Sequence, residues 1–310
     1  MYEAIIGDIV GSVYEFSNIK TKDFPLFAAS CDYTDDTVMT IAVAKAIMRS
    51  QDERLQKRQN NGPALEVFMT EELQRFGRKY PHPMGAYGYG FHKWLQSDAP
   101  KPYNSYGNGA AMRVSACGLI AVTIEEAIKT ARISAKVTHN HPEGMKGAEA
   151  VAAAIFFAKT GKQKEEIRRY IGEHYYDVSM TLDMIRPDYQ FDSSCQGTVP
   201  QAMTAFFEST SFEDAIRNAV SIGGDSDTLA AITGSIAWTY YRFQRDNNAW
   251  AVDGLDESMR KMKEKAMKYI PDEFARIAAE YHKRAWRRMD TNSGVGFCSD
   301  LMTQQEWEEA

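Results

Sequence analysis

Two short oxygen-rich motifs stand far apart in this 310-residue chain, Tyr33-Thr34-Asp35-Asp36-Thr37 and Gly223-Gly224-Asp225-Ser226-Asp227-Thr228. Each precedes an apolar stretch of helical spacing, which predicts clustered carboxylate and hydroxyl oxygens in the first turn of a helix. If the two helix starts meet, four carboxylates and two threonine hydroxyls converge, and that much like charge calls for a hard cation such as Mg²⁺, Mn²⁺ or Ca²⁺. Taken alone, the first motif reads as an ordinary cap that satisfies free N–H groups. The second resists that reading, because Asp225 at the cap would face Asp227 and Thr228 across one turn. Gly223-Gly224 before it admits unusual backbone angles and close approach of a metal or ligand.

Near the start of the chain, Gly7-Asp8-Ile9-Val10-Gly11-Ser12-Val13-Tyr14-Glu15 places two acids seven residues apart, hence on one helical face. At least one is expected to point inward, with Glu15 the choice. Asn108-Gly109-Ala110-Ala111-Met112-Arg113 is a small-residue turn opening a helix, a geometry whose amides can cradle phosphate oxygens. His139 and His141, one residue apart, suggest zinc at first sight. No cysteine or third histidine is near, and the stronger cluster is all oxygen, so a hydrogen bond from His139 to a ligand is expected instead. Tyr106, with Tyr103 and the Tyr87-Gly88-Tyr89 stretch, could stack on a base or could simply be core. Phosphate-loop, nucleophile-elbow and zinc-helix signatures are absent from the sequence.

The elements that must position these groups read as helices. Apolar residues recur at helical spacing over 36–49, 64–80, 110–122, 124–137, 145–159, 164–184, 199–208, 212–221, 228–241, 258–269 and 272–288, which predicts an all-α domain of roughly a dozen helices. Breaks rich in Pro, Gly, Asn and Ser fall at 51–62, 81–88, 98–109 and 139–144. None reads as an interdomain linker and no solenoid repeat is present, so residues 1–310 are expected to form one domain, with 246–310 a helical extension packed on it. A composition 44% hydrophobic and 25% charged is that of a globular chain. The net charge of -6 argues against nucleic acid as the main partner. Four scattered cysteines and the absence of a leader-like start predict a cytoplasmic protein. The longest apolar run, about 151–158, is far too short to span a membrane.

Taken in order, Gly-Asp-x-x-Gly with Glu15, Thr34-Asp35-Asp36-Thr37, Ser105 to Arg113, Thr138-His139 and Gly223 to Thr228 resemble the ADP-ribosylglycohydrolase family. The resemblance spans roughly residues 1 to 245. It implies a compact orthogonal multi-helix fold with a binuclear Mg²⁺ centre, Mn²⁺ being the other cation considered, and removal of ADP-ribose from a modified protein or small molecule. It would place Thr34, Asp35, Asp36, Asp225, Asp227 and Thr228 around the metals and Glu15 at the mouth. Asn108, Gly109, Ala110, Ala111 and Met112 would hold the pyrophosphate, with His139 on the adjacent part of ADP-ribose and Tyr106 as a further contact. The role of His141 stays open.

Breaking a glycosidic bond through an oxocarbenium-like state needs a positioned water, a base and help for the leaving group. Two metals could orient ribose hydroxyls and acidify a water, with Asp36 or Glu15 as its base. The sequence does not choose between them. A monomer releasing ADP-ribose from arginine in preference to serine is expected, with Glu15, Tyr87, Tyr89 or Asp98 at the rim to meet a guanidinium. The rival readings are a two-metal phosphoester or nucleotide hydrolase and a non-catalytic ADP-ribose-binding module.

Overall fold

A computed structural model describes residues 1–57, 64–243 and 255–293; Cys298 and parts of the expected extension, 246–254 and 294–310, lie outside them. The described residues form fourteen α-helices: α1 (Tyr2–Gly11), α2 (Asp35–Lys57), α3 (Leu65–Lys79), α4 (Tyr89–Gln96), α5 (Ser115–Ile120), α6 (Ile124–Lys136), α7 (Pro142–Lys159), α8 (Lys164–His174), α9 (Leu182–Ile185), α10 (Cys195–Phe207), α11 (Phe212–Val220), α12 (Ser226–Phe243), α13 (Glu257–Ala266) and α14 (Asp272–Ser293). Extended pairing among the described residues is limited to the isolated bridges Thr34–Met84 and Gly107–Ser194, so the fold is all-α.

The pairing of α1 with α12 organises the molecule. Both are buried nearly all round, α1 over its whole length and α12 from Ser226 to Thr239. Glycines let their backbones touch: a Cβ on Gly7 would lie 2.1 Å from the Ala230 carbonyl oxygen, and one on Gly11 would lie 2.4 Å from that of Ser226. From the other side, a Cβ on Gly234 would lie 2.7 Å from the Glu3 carbonyl oxygen. This contact delivers the start of α12 to the end of α1, where the chain turns toward α2. Helix α1 escaped the periodicity reading because a helix buried on every side carries no polar stripe.

Other differences have equally local causes. The stretch 164–184 is two helices: α8 ends at His174, Asp177 Oδ1 accepts from Ser179 N at 2.9 Å, and Thr181 caps α9. In 110–122 a 3₁₀ turn at Asn108–Ala110 precedes the short α5. Helix α2 runs on past residue 50, where Asp52 meets Arg284 of α14 at 2.7 Å. Helix α4 buries Phe91, Trp94 and Leu95 on one face. Helix α14 packs on α2 and α5, sinking Phe274 and Tyr281 into the core.

Candidate active site

Helix α2 begins where Thr34 Oγ1 accepts the Asp36 amide at 3.2 Å, the capping role read from sequence. Its other anchor is Asp8, whose carboxylate accepts from the Thr34 amide, the Thr37 amide and the Thr37 hydroxyl. Thus Asp8, fully buried, is the more deeply inward of the two N-terminal acids, and Glu15, the expected one, is only partly buried at the rim. Burial pushes the Asp8 carboxyl up to about 6 against the lowering effect of those hydrogen bonds.

Helix α12 begins at Asp225, whose carbonyl accepts the Leu229 amide at 2.9 Å. The positive φ values of Gly223 (74°) and Gly224 (73°) let the chain turn sharply into it, and a Cβ on Gly224 would strike the Tyr189 ring at 2.4 Å. Asn18 fastens the turn from outside, donating to the Gly224 carbonyl at 2.8 Å and accepting its amide at 2.7 Å.

The two helix starts meet. Thr228 Oγ1 donates to Asp36 Oδ2 at 3.0 Å, joining motifs 192 positions apart. Glu15, Asp225 and Asp227 each offer an oxygen, all within 4.8 Å of one another. Asn108 Nδ2 donates to Asp225 Oδ2 at 2.7 Å and to Thr198 Oγ1 at 3.0 Å, tying the Asn108 turn to the cluster. Burial, then the charges of Asp225 and Asp8, push the Glu15 carboxyl up to about 7. Asp227 is raised well above the carboxylate range by burial and then by Asp225 and Asp36. Burial and then Asp8 do the same to Asp35 and Asp36. Among the described residues, Glu15 Oε2, Asp36 Oδ1 and Asp227 Oδ1 are buried without a hydrogen-bond partner. Hard oxygens gathered within 4.8 Å, with those of Glu15 and Asp227 left unpaired, are what a divalent cation needs, so the Glu15, Asp225 and Asp227 set fits one.

The substrate-side residues are less uniform. The amides of Asn108, Ala110, Ala111 and Met112 are already bonded to protein carbonyls, the first to Ser193 at 2.7 Å, so the open row of donors expected there does not exist. Gly109 stays partly exposed, while Asn108, Ala110, Ala111 and Met112 are buried. His139 is buried with Nδ1 2.6 Å from Thr138 Oγ1, and its Nε2 faces the turn, 3.4 Å from where a Cβ of Gly109 would stand. Thr138 Oγ1 also receives Arg113 Nη2 at 2.9 Å, and that guanidinium is fully buried. Burial, then Arg113, hold the His139 pKa well below its usual value, so the ring is neutral. His141 caps α7 by accepting the Glu143 amide at 3.1 Å and sets its ring edge on Tyr106 with centroids 5.4 Å apart, which separates it from His139 in role and removes the basis for zinc. Tyr106 is 51% exposed. Tyr87 is core, with its hydroxyl on the Tyr80 carbonyl at 2.7 Å, so it offers no face to a substrate; Tyr89 and Asp98 are exposed.

A family model for ADP-ribosylglycohydrolase matches residues 4–289. The chain belongs to the ADP-ribosylglycohydrolase family. Among this family member's relatives is ADP-ribosylhydrolase ARH3 of Homo sapiens, 25% identical over 335 residues that cover 82% of this chain and 88% of the relative. ADP-ribosylarginine hydrolase Tri1 of Serratia proteamaculans is 21% identical over 297 residues, covering 86% and 78% respectively. A solved structure described as an ADP-ribosylglycohydrolase-related protein complex superposes with a TM-score of 0.55 at 20% identity, covering 89% of this chain and 96% of that one, a likeness of fold. Among the described residues of this ADP-ribosylglycohydrolase family member, no helix is long and apolar enough to cross a membrane.

Proposed function

We propose that the protein is a Mg²⁺-dependent hydrolase that cleaves the glycosidic bond joining ADP-ribose to a modified side chain, with arginine the preferred acceptor. The observation that carries this reading is the meeting of two helix starts with partnerless buried oxygens on Glu15, Asp36 and Asp227. Thr34, Asp35, Asp36, Asp225, Asp227 and Thr228 would hold two Mg²⁺ ions or, in their place, Mn²⁺. Bound there, the cations would supply positive charge for the ribose hydroxyls and acidify a water.

The chain's own residues supply the rest. Glu15, only partly buried at the rim, is placed to reach an incoming water and so suits the group that deprotonates it better than fully enclosed Asp36 does. Asn108 fixes the Asp225 carboxylate through its amide and so keeps the acid in place. If the Thr138 hydroxyl donates to His139 Nδ1, the proton of the neutral ring sits on Nε2 and faces the turn, a donor suited to a pyrophosphate oxygen. The buried Arg113 behind it biases that side toward an anion. Exposed Tyr106, steadied by His141, offers a face to adenine or ribose.

The similarity to a relative named ADP-ribosylarginine hydrolase supports the arginine preference. Matched peptides carrying ADP-ribose on arginine or on serine, incubated with enzyme and Mg²⁺, test it. Faster release from arginine is expected; equal or faster release from serine defeats the acceptor assignment.

A further inference from the structure

Two phenylalanines stand open beside the acidic cluster. Phe16 is 74% exposed and Phe191 50% exposed, and their rings face each other with centroids 6.3 Å apart and planes 18° from parallel. Exposed rings on loose loops would carry no argument, but both loops are fastened. Phe16 follows Glu15 in a turn that Asn18 closes, donating to the Tyr14 carbonyl at 2.6 Å and the Glu15 carbonyl at 2.8 Å while gripping Gly224. Phe191 lies between Tyr189, whose carbonyl receives Lys20 Nζ at 2.8 Å, and Ser193, whose carbonyl receives the Asn108 amide at 2.7 Å. The Asp192 carbonyl in turn receives Thr198 Oγ1 at 2.9 Å. The pair is thus held at the rim by the same bonds that hold Gly224 and Asn108 at the cluster.

We propose that Phe16 and Phe191 form an aromatic wall that takes the acceptor guanidinium just outside Glu15; the inference rests on the hydrolase reading above and names the group that selects the acceptor. A guanidinium is flat, weakly hydrated and permanently charged, so its face lies on an aromatic ring while its N–H edges reach carboxylates. This rim supplies both surfaces side by side. Glu15 at the rim provides the carboxylate, with Asp225 and Asp227 behind it in the metal site, and Lys20 is turned away onto the Tyr189 and Ile222 carbonyls. A hydroxyl leaving group would use neither the ring faces nor the charge.

The test uses agmatine, a guanidinium carrying no ADP-ribose, titrated calorimetrically into the full-length protein with Mg²⁺ and saturating ADP-ribose. Phe16→Leu and Phe191→Leu keep apolar bulk at exposed positions but lose the π face. Each should weaken agmatine roughly twofold to fivefold, leave the Kd for ADP-ribose unchanged, and raise KM on an ADP-ribosylarginine peptide with kcat held. Agmatine that does not bind the wild type, unchanged agmatine affinity in both variants, or a parallel loss of ADP-ribose affinity overturns the proposal, the last by assigning the rings to the nucleotide. Because agmatine binding needs no turnover, a wild type that binds it through these rings yet releases nothing from arginine defeats the functional reading alone.

Discussion

Replacing Gly7 with alanine adds a single methyl where the α1 backbone rests on that of α12. Its Cβ would lie 2.1 Å from the Ala230 carbonyl oxygen and 2.7 Å from the Ala231 amide nitrogen, both backbone atoms that no rotamer change can move. Relief requires the helices to part by on the order of 1 Å. Overpacking of this kind costs about 1–3 kcal/mol, and the obstacle being main chain puts this case at the upper end. Exchanging glycine for alanine inside a helix returns about 1 kcal/mol. The net loss is about 2 kcal/mol, which lowers Tm by roughly 3 °C in a chain of this size. The same parting moves Asp227 and Thr228 on α12 away from Asp8 and the start of α2, whereas a metal site tolerates only about 0.5 Å of misplacement. Calorimetric melting and Mg²⁺ titration of the purified variant should therefore show a lower Tm together with at least about tenfold weaker Mg²⁺ binding. A variant that melts and binds like the wild type would refute the claim that this backbone contact builds the site.

Asp36→Ala and Asp227→Ala should each reduce ADP-ribose release by more than roughly 100-fold while leaving the chelated protein at least as heat-stable as the wild type, because each removes one like charge from a crowded set; a clear fall in Tm or near-normal turnover contradicts this. Asn108→Ala should weaken Mg²⁺ binding about 10- to 100-fold through the freed Asp225 carboxylate, read by titration. The pH dependence follows from carboxyls raised in the fold. Such a group binds its proton more tightly than in the unfolded chain, so its contribution to stability is greatest at low pH and is lost as pH rises through the folded value, about 7 for Glu15. A cation must displace that proton, so apparent Mg²⁺ affinity should fall about tenfold from pH 8 to pH 6, with a correspondingly smaller rise in Tm on adding Mg²⁺. Affinity that is flat or improves toward pH 6 rules this out.

Much of the placement of the candidate cluster was legible because its residues sit in motifs of local spacing. Thr34, Asp36, Asp225 and Asp227 sit at helix starts that apolar periodicity announces, and the glycine pair before Asp225 does adopt positive φ. What stayed hidden depends on contacts between distant segments. Asp8 looked like one of two acids on a face, and only the fold shows it holding three donors of the Thr34–Thr37 segment. The Asn108 amide looked free because nothing in the sequence reveals that Ser193 lies opposite, while those of Ala110, Ala111 and Met112 are taken up by the Gly107 and Asn108 carbonyls of the turn itself. Asn18 and the Phe16–Phe191 pair left no periodic signal, since loop residues joined across more than 170 positions obey no local pattern. His141, unassigned from sequence, has the signature of a helix cap in retrospect, standing directly before Pro142 at the first position of α7.

The central claim is that these converging carboxylates serve hydrolysis of an ADP-ribose linkage. Mass spectrometry of both products, after incubating the protein with an ADP-ribosylated arginine peptide in Mg²⁺ and in excess EDTA, tests it most directly. Intact ADP-ribose and unmodified peptide should appear with Mg²⁺, disappear with EDTA and return when Mg²⁺ is restored. AMP or free phosphate as the product, or full turnover in EDTA, would contradict the account.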